Sequence, residues 1–402
     1  PWLVRPVEWT GELSKRAVIW LSEKVDKAIL RLETADFFEH HLYDLVYAYD
    51  GVDDLLHEVF EDLRTRVRYR DTLPSNSKVI CFSPHPDDDV ISMGGMLDKL
   101  VRNGNEVTVA YMTNGSVAVF DVDVRRHLLF TDMSMNALGV PKEQQKSVRK
   151  HRQDILDFLK NKKPGQIDTQ DVQDLKAFIR YSEAVAGIEI MGMDESNARF
   201  LDMPFYKTGM VRKLPIGPDD IKVVKDLLAE IEPDHIYVAG DLSDPHGTHR
   251  MCYVAIRDAL DAYNEAGEKA AKPKRASKKK VDEKDAKDTS GDDALTQVEA
   301  EAKADVHKRP VVWLYRGAWQ EWEIYKADVF MPMSKADLDR KIEAIFKHES
   351  QKDRALFPGA YDEREFWQRA KDRNTGTAKQ LNSLGLPEFY AVEAYVVVDR
   401  IP

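Results

Sequence analysis

Lys78-Val79-Ile80-Cys81-Phe82 is a short, nearly continuous apolar run. Such runs suit a strand buried on both faces of a parallel sheet. A turn rich in Pro and Asp follows it, His85-Pro86-Asp87-Asp88-Asp89. Gly94 to Arg102 then suits a helix, Asn103-Gly104 ends it, and Val107 to Met112 reads as the next strand. Together they spell a βαβ unit, whose connection is expected to be right-handed. A similar unit recurs later, with helix Asp219–Ile231, strand His235–Ala239, a polar loop and helix Thr248–Tyr263. The expected fold is therefore α/β: a Rossmann-like, open, mostly parallel sheet with helices on both faces.

The flanks differ. In residues 1–75, Leu13, Val18, Leu21, Val25, Ala28 and Leu32 recur at helical spacing, and a second run extends from Phe37 to Phe60. Leu73-Pro74-Ser75-Asn76 breaks the pattern, so the boundary is placed between a helical segment 1–75 and a domain 76–402. Residues 117–177 read as a helical insertion. Residues 264–309 hold 12 Lys/Arg, 11 Asp/Glu and no aromatic. Such a segment cannot bury enough apolar area to offset its ordering entropy, and disorder is expected there. Beyond it, Val311–Tyr315 and Phe389–Val398 read as strands, and Ser334–Phe346 and Asp362–Asn382 as helices, with Ser334 and Asp337 forming a capping-box pair.

Charge and cysteine content exclude some function classes. A net charge of −11 argues against broad binding to nucleic acid, and interleaved acids nearly cancel the Lys278-Lys279-Lys280 run. No stretch reaches the ~18 apolar residues of a membrane span. Two cysteines, Cys81 and Cys252, form no disulfide framework or thiolate zinc finger, which points to a cytoplasmic setting. Any metal must be held by His and carboxylate.

In an open α/β sheet the carboxyl ends of the strands form the binding crevice. His85-Pro86-Asp87-Asp88-Asp89 lies at one such end, and three adjacent carboxylates there are costly to desolvate without a cation. A solvated turn with a helix-capping Asp is the plainer reading of this run alone. Asp244-Pro245-His246-Gly247-Thr248-His249 follows another predicted strand and should reach the same end of the sheet; on its own it reads equally as a surface loop. Taken together, His85, one Asp of the triplet and His249 offer the three-ligand set of a catalytic zinc, and another Asp can serve as general base.

These motifs resemble the PIG-L (LmbE-like) zinc deacetylases. The resemblance rests on Ser83–Asp89, Gly94-Gly95, Thr113-Asn114-Gly115, Arg180 and Glu183, Pro204-Phe205-Tyr206, Asp244–His249 and His348-Glu349-Ser350-Gln351. It implies a deacetylase of N-acetylglucosamine derivatives in which His85, Asp88 and His249 bind Zn²⁺ or another divalent first-row metal. Asp87 would be the general base, and His246 would stabilise the oxyanion or protonate the amine. Arg180 and His348 would meet a small amino-sugar substrate. Two positions depart from the family pattern: Asp89 stands where Glu is usual, and Thr248 stands where an Asp separates the two late histidines. A weaker resemblance, in Trp2–Glu8 and the long helices, is to bacterial glucosamine-6-phosphate deaminase-like fusion proteins, of which this chain would be the C-terminal part.

The leading expectation is thus a metal-dependent amidase, with a homo-oligomer left open. The alternative, motivated by Thr248, is a catalytically impaired metal-binding or assembly domain attached to such a deaminase-like enzyme. A dinucleotide-binding enzyme is disfavoured because no G-x-G-x-x-G follows the first strand.

Overall fold

The structure, a computed structural model, describes residues 8–49, 51–207, 212–240, 247–271, 308–317, 320–352 and 364–401. Four helices come first, α1 (Gly11–Val25), α2 (Thr34–Glu39), α3 (Tyr43–Ala48) and α4 (Val52–Thr65). Then follow β1 (Lys78–Ser83), α5 (Asp88–Arg102), β2 (Glu106–Tyr111), α6 (Asp121–Ala137), α7 (Lys142–Asn161), α8 (Gln170–Glu189) and β3 (Ala198–Phe200). The chain continues through α9 (Pro218–Ile231), β4 (His235–Ala239), α10 (Thr248–Ala271), β5 (Val311–Tyr315), β6 (Val329–Met333), α11 (Lys335–Ile345), α12 (Phe366–Ser383) and β7 (Ala391–Val398).

One sheet runs in the order β3-β2-β1-β4-β5-β7-β6. Strands β1 to β5 pair in parallel, while β7 pairs antiparallel with both β5 and β6. Strand residues alternate strictly between two cores. Val79, Cys81, Val109, Tyr111, Tyr237 and Trp313 face helices α5, α8 and α11. Ile80, Phe82, Ala110, Ile236, Val238 and Leu314 face α9 and α10. This explains the unbroken apolar runs in the sequence: both faces are covered, so neither set of alternating residues meets water. The α/β expectation holds.

The N-terminal helices share a third core with β6, β7 and α12, through Leu21, Phe37, Leu55, Phe330, Leu381 and Val392. Arg68 N–H donates to the Phe330 carbonyl at 2.8 Å, and Phe330 N–H to the Arg66 carbonyl at 2.9 Å, tying the segment to the sheet edge. The Ser334 capping box forms as read, its hydroxyl accepting from Asp337 N–H while the Asp337 carboxylate accepts from Ser334 N–H.

Several boundaries move. Helix α8 continues past residue 177, and α10 continues to Ala271, beyond the 264 limit read from composition. Residues 272–307, with the Lys278-Lys279-Lys280 run, lie outside the described residues. Helix α5 begins at Asp88 rather than Gly94, because Asp residues suit the positive end of a helix and form its first turn. Gly94 and Gly95 therefore do not turn the chain into the helix. They sit inside it, where a Cβ on Gly94 would stand 3.0 Å from Lys341 Cγ and one on Gly95 would stand 3.0 Å from Met333 Cγ.

Candidate active site

Strand order reverses between β1 and β4: β2 and β3 lie to one side of β1, and β5 lies beyond β4. Open α/β sheets bind ligands in the crevice outside the carboxyl ends of the strands at such a switch point. His85 to Asp89 leave β1 there, and Gly247 to His249 enter α10 after β4.

The two segments meet. His85 Nδ1 lies 3.1 Å from Asp88 Oδ2, and His249 Nε2 lies 3.2 Å from the same oxygen. One ligand atom from each of the three residues falls within 4.8 Å of the others. Donors about 2.1 Å from a tetrahedral ion lie about 3.4 Å apart, so two imidazole nitrogens and a carboxylate oxygen fit one such cation. Burial pushes the Asp88 carboxyl up, but His249 and His85 more than offset this and hold it well below the usual carboxylate range. The donor is thus an anion, as a cation site needs.

Asp87 occupies the N-cap position of α5, yet its side chain makes no capping bond. It turns instead to Arg180 on α8, whose Nη2 lies 3.0 Å from Asp87 Oδ2 and donates to the Pro86 carbonyl at 3.0 Å. Arg180 is 1% exposed. Its pair with Glu183 stands at 3.7 Å, also buried, and Asp87 is the nearer partner. Glu183 in turn accepts from the Ser350 backbone and hydroxyl, each at 2.7 Å. The late motif is thereby tied to the first one through Arg180. His348 is buried beside Asp87, Ile91 and Gln351 in a small cleft, and burial lowers its imidazole to about 3, so the ring is neutral near neutral pH. A larger cleft of about 570 Å³ lies between α1 and α12 and contains none of these residues. His246 and Asp244 lie outside the described residues.

Asp89 takes no part in the cluster of possible ligands. It is fully buried, with Tyr111 donating to its Oδ2 at 3.1 Å. The Ser83 hydroxyl stands 2.6 Å from the His85 carbonyl and 3.2 Å from Asp89 Oδ1, one hydrogen for two acceptors. A proton on Asp89 completes the set. Burial, reinforced by Asp87, raises this carboxyl from 3.8 to about 7. The folded state therefore binds the proton more tightly than the unfolded chain. That contribution to stability is complete below pH 3.8 and is lost as pH rises through about 7. In metal-free protein, raising the pH from about 5 to about 8 is expected to lower the denaturant midpoint less in Asp89→Asn than in wild type. Equal pH slopes in the two proteins would remove Asp89 from this role.

Residues 80–260 match the family described as "PIG-L: GlcNAc-PI de-N-acetylase". That match ends before the His348–Gln351 run. A glucosamine-6-phosphate deaminase-like protein of Bacteroides thetaiotaomicron is 37% identical over 98% of this chain and 56% of its own length. The diacetylchitobiose deacetylase of Thermococcus kodakarensis is 30% identical over 27% of this chain and 46% of its own. The chain thus spans about half the length of the curated relatives it matches. Among solved structures, N,N'-diacetylchitobiose deacetylase from Pyrococcus horikoshii aligns over 80% of this chain and 84% of its own, at 17% identity and a TM-score of 0.43, too loose an overlap to argue from. No helix among the described residues is long and apolar enough to cross a membrane. The motif order, the site at the switch point and the family match agree: residues 80–260 of this chain are a PIG-L family domain.

Proposed function

We propose that this chain is a zinc-dependent hydrolase that removes the N-acetyl group of an amino sugar. The observation that carries the reading is the meeting of His85, Asp88 and His249 beside an Asp87 that is held by Arg180. The family description names de-N-acetylation of GlcNAc-PI and the Thermococcus kodakarensis relative is named for deacetylation of diacetylchitobiose, which supports the substrate class. The deaminase-like relative supports a place in amino-sugar metabolism.

His85, Asp88 and His249 would hold the ion. A divalent ion there supplies a Lewis acid for the amide carbonyl and lowers the pKa of water at the site. Asp87, as carboxylate, would accept a proton from water in the cleft. The Arg180 guanidinium fixes the orientation in which Asp87 does so. This burial and pairing support a positioning role for Arg180 rather than the substrate contact implied by the family resemblance. His348, whose neutral ring is buried beside Asp87, is assigned to the wall of that cleft. His246, three residues before His249, is assigned to the oxyanion or the departing amine.

The test is acetate release by zinc-loaded protein from N-acetylglucosamine, its 6-phosphate and diacetylchitobiose. Turnover on at least one is expected. Zinc bound with no turnover on any would overturn the reading in favour of a metal-binding or assembly domain.

A further inference from the structure

Helix α5 carries Asp88 and Asp89, yet it is not continuous: Met93 has φ −135° and ψ 25°, which kinks the helix there. In an unbroken helix the carbonyls of Ile91 and Ser92 would accept from the N–H groups of Gly95 and Met96. All four of these groups are met by buried side chains from the far end of the sequence. Arg373 Nη2 on α12 donates to the carbonyls of Ile91 and Ser92 at 3.1 and 3.0 Å. The Glu393 carboxylate on β7 accepts from Gly95 N–H at 3.0 Å and from Met96 N–H at 2.9 Å.

The charges have the sign each helix end wants. A cation sits at the carboxyl end of the Asp88–Ser92 piece and an anion at the amino end of the piece that follows. Lys341 on α11, fully buried, closes the arrangement with Nζ 2.6 Å from Glu393 Oε1 and 2.9 Å from Asn374 Oδ1. Tyr395 donates to Glu393 Oε2 at 2.8 Å. The Gly94-Gly95 pair now has a physical reason. A Cβ on Gly94 would press on Lys341, and one on Gly95 would reach 3.2 Å from Glu393 Oε1, so only bare backbone lets the pair approach.

We propose that Arg373 and Glu393 are positioning residues: they clamp the two ends of the broken helix and set the orientation of the Asp87–Ser92 segment independently of the rest of α5. The benefit to function rests on the deacetylase reading above, because that segment carries the proposed base Asp87 and the proposed ligand Asp88. Burying this many charges is costly, and an uninterrupted helix would need none of them. The cost is understandable if the segment must be held at an angle that a regular helix does not give.

The experiment compares wild type with Arg373→Lys, which keeps the charge but not the fork, and with Glu393→Gln. Hydrogen exchange of the peptide covering residues 88–96 is measured in metal-free protein. Zinc affinity is measured by competition with a chromophoric chelator, and acetate release is measured on the zinc-loaded form. Exchange is expected to rise in 88–96 while the remaining peptides keep wild-type rates. Zinc affinity should fall about tenfold or more, as when supporting partners of metal ligands are lost, and kcat should fall more than KM. Wild-type exchange in 88–96, or a uniform rise across the chain, would overturn the clamp. So would unchanged zinc affinity in the variants. Failure of wild-type protein to bind zinc would instead overturn the deacetylase reading, and the exchange data would still decide on the clamp.

Discussion

Asp87→Asn is expected to reduce acetate release by ~10²–10⁴-fold, the usual worth of a general base, with zinc affinity unchanged. The amide keeps the size of the carboxylate, so the loop from Ser83 to Asp88 has no steric reason to move. It loses the lone-pair basicity that accepts a proton and the charge that pairs with Arg180 at 3.0 Å. Asp87 is not among the three residues whose donor atoms cluster, which is why metal binding should survive. The fall should appear in kcat rather than KM, because the interaction lost belongs to the proton-transfer step. Full activity in this variant would remove Asp87 from the mechanism.

Arg180→Met is expected to act on folding as well as turnover. Arg180 is buried between Asp87 and Glu183, two acids that have no other cation within ion-pair reach among the described residues. Removing one partner of a buried pair leaves uncompensated charge and costs about 3–5 kcal/mol. Burial already raises the Glu183 carboxyl, and Arg180 is the first influence opposing that rise. The variant should therefore lower the denaturant midpoint, and by more as pH rises, because the Glu183 carboxyl that burial raises would lose the cation opposing that rise. Arg180→Lys should restore much of the stability but less of kcat, since an ammonium cannot hold Asp87 and the Pro86 carbonyl with a planar fork. A midpoint equal to wild type in Arg180→Met would show that the pair is not stabilising.

Much of this architecture is legible in the sequence because its cause is local. Strands β1, β2, β4 and β5 are apolar on both faces, and that pattern needs no knowledge of the partner helices. The elements that escape notice are those whose cause lies elsewhere. Strand β3 is three residues long, too short for a period. Strand β6 contains Pro332, which argues against a strand; it is tolerated because β6 is the last strand of the sheet and its outer edge is bonded at Phe330, to Arg66 and Arg68, rather than at Pro332. The site divides in the same way. His85, one Asp of the triplet and His249 are visible because motifs at two strand ends of a parallel sheet reach the same crevice, while the choice of Asp88 comes from the family resemblance. The Arg180–Asp87 pair joins residues on different elements, and the Arg373 and Glu393 contacts reach α5 across more than 280 positions. No spacing rule reports such contacts. Asp89, which stands where Glu is usual, belongs to a buried network with Ser83 and Tyr111.

The central claim is that His85, Asp88 and His249 hold one divalent cation on which acetate release depends. It is tested most directly by titrating chelator-stripped protein with zinc while following both bound metal and acetate release. The account predicts one equivalent bound, activity restored in proportion to occupancy, and loss of both in His249→Ala. Activity in the stripped protein, or wild-type zinc binding in His249→Ala, would contradict it.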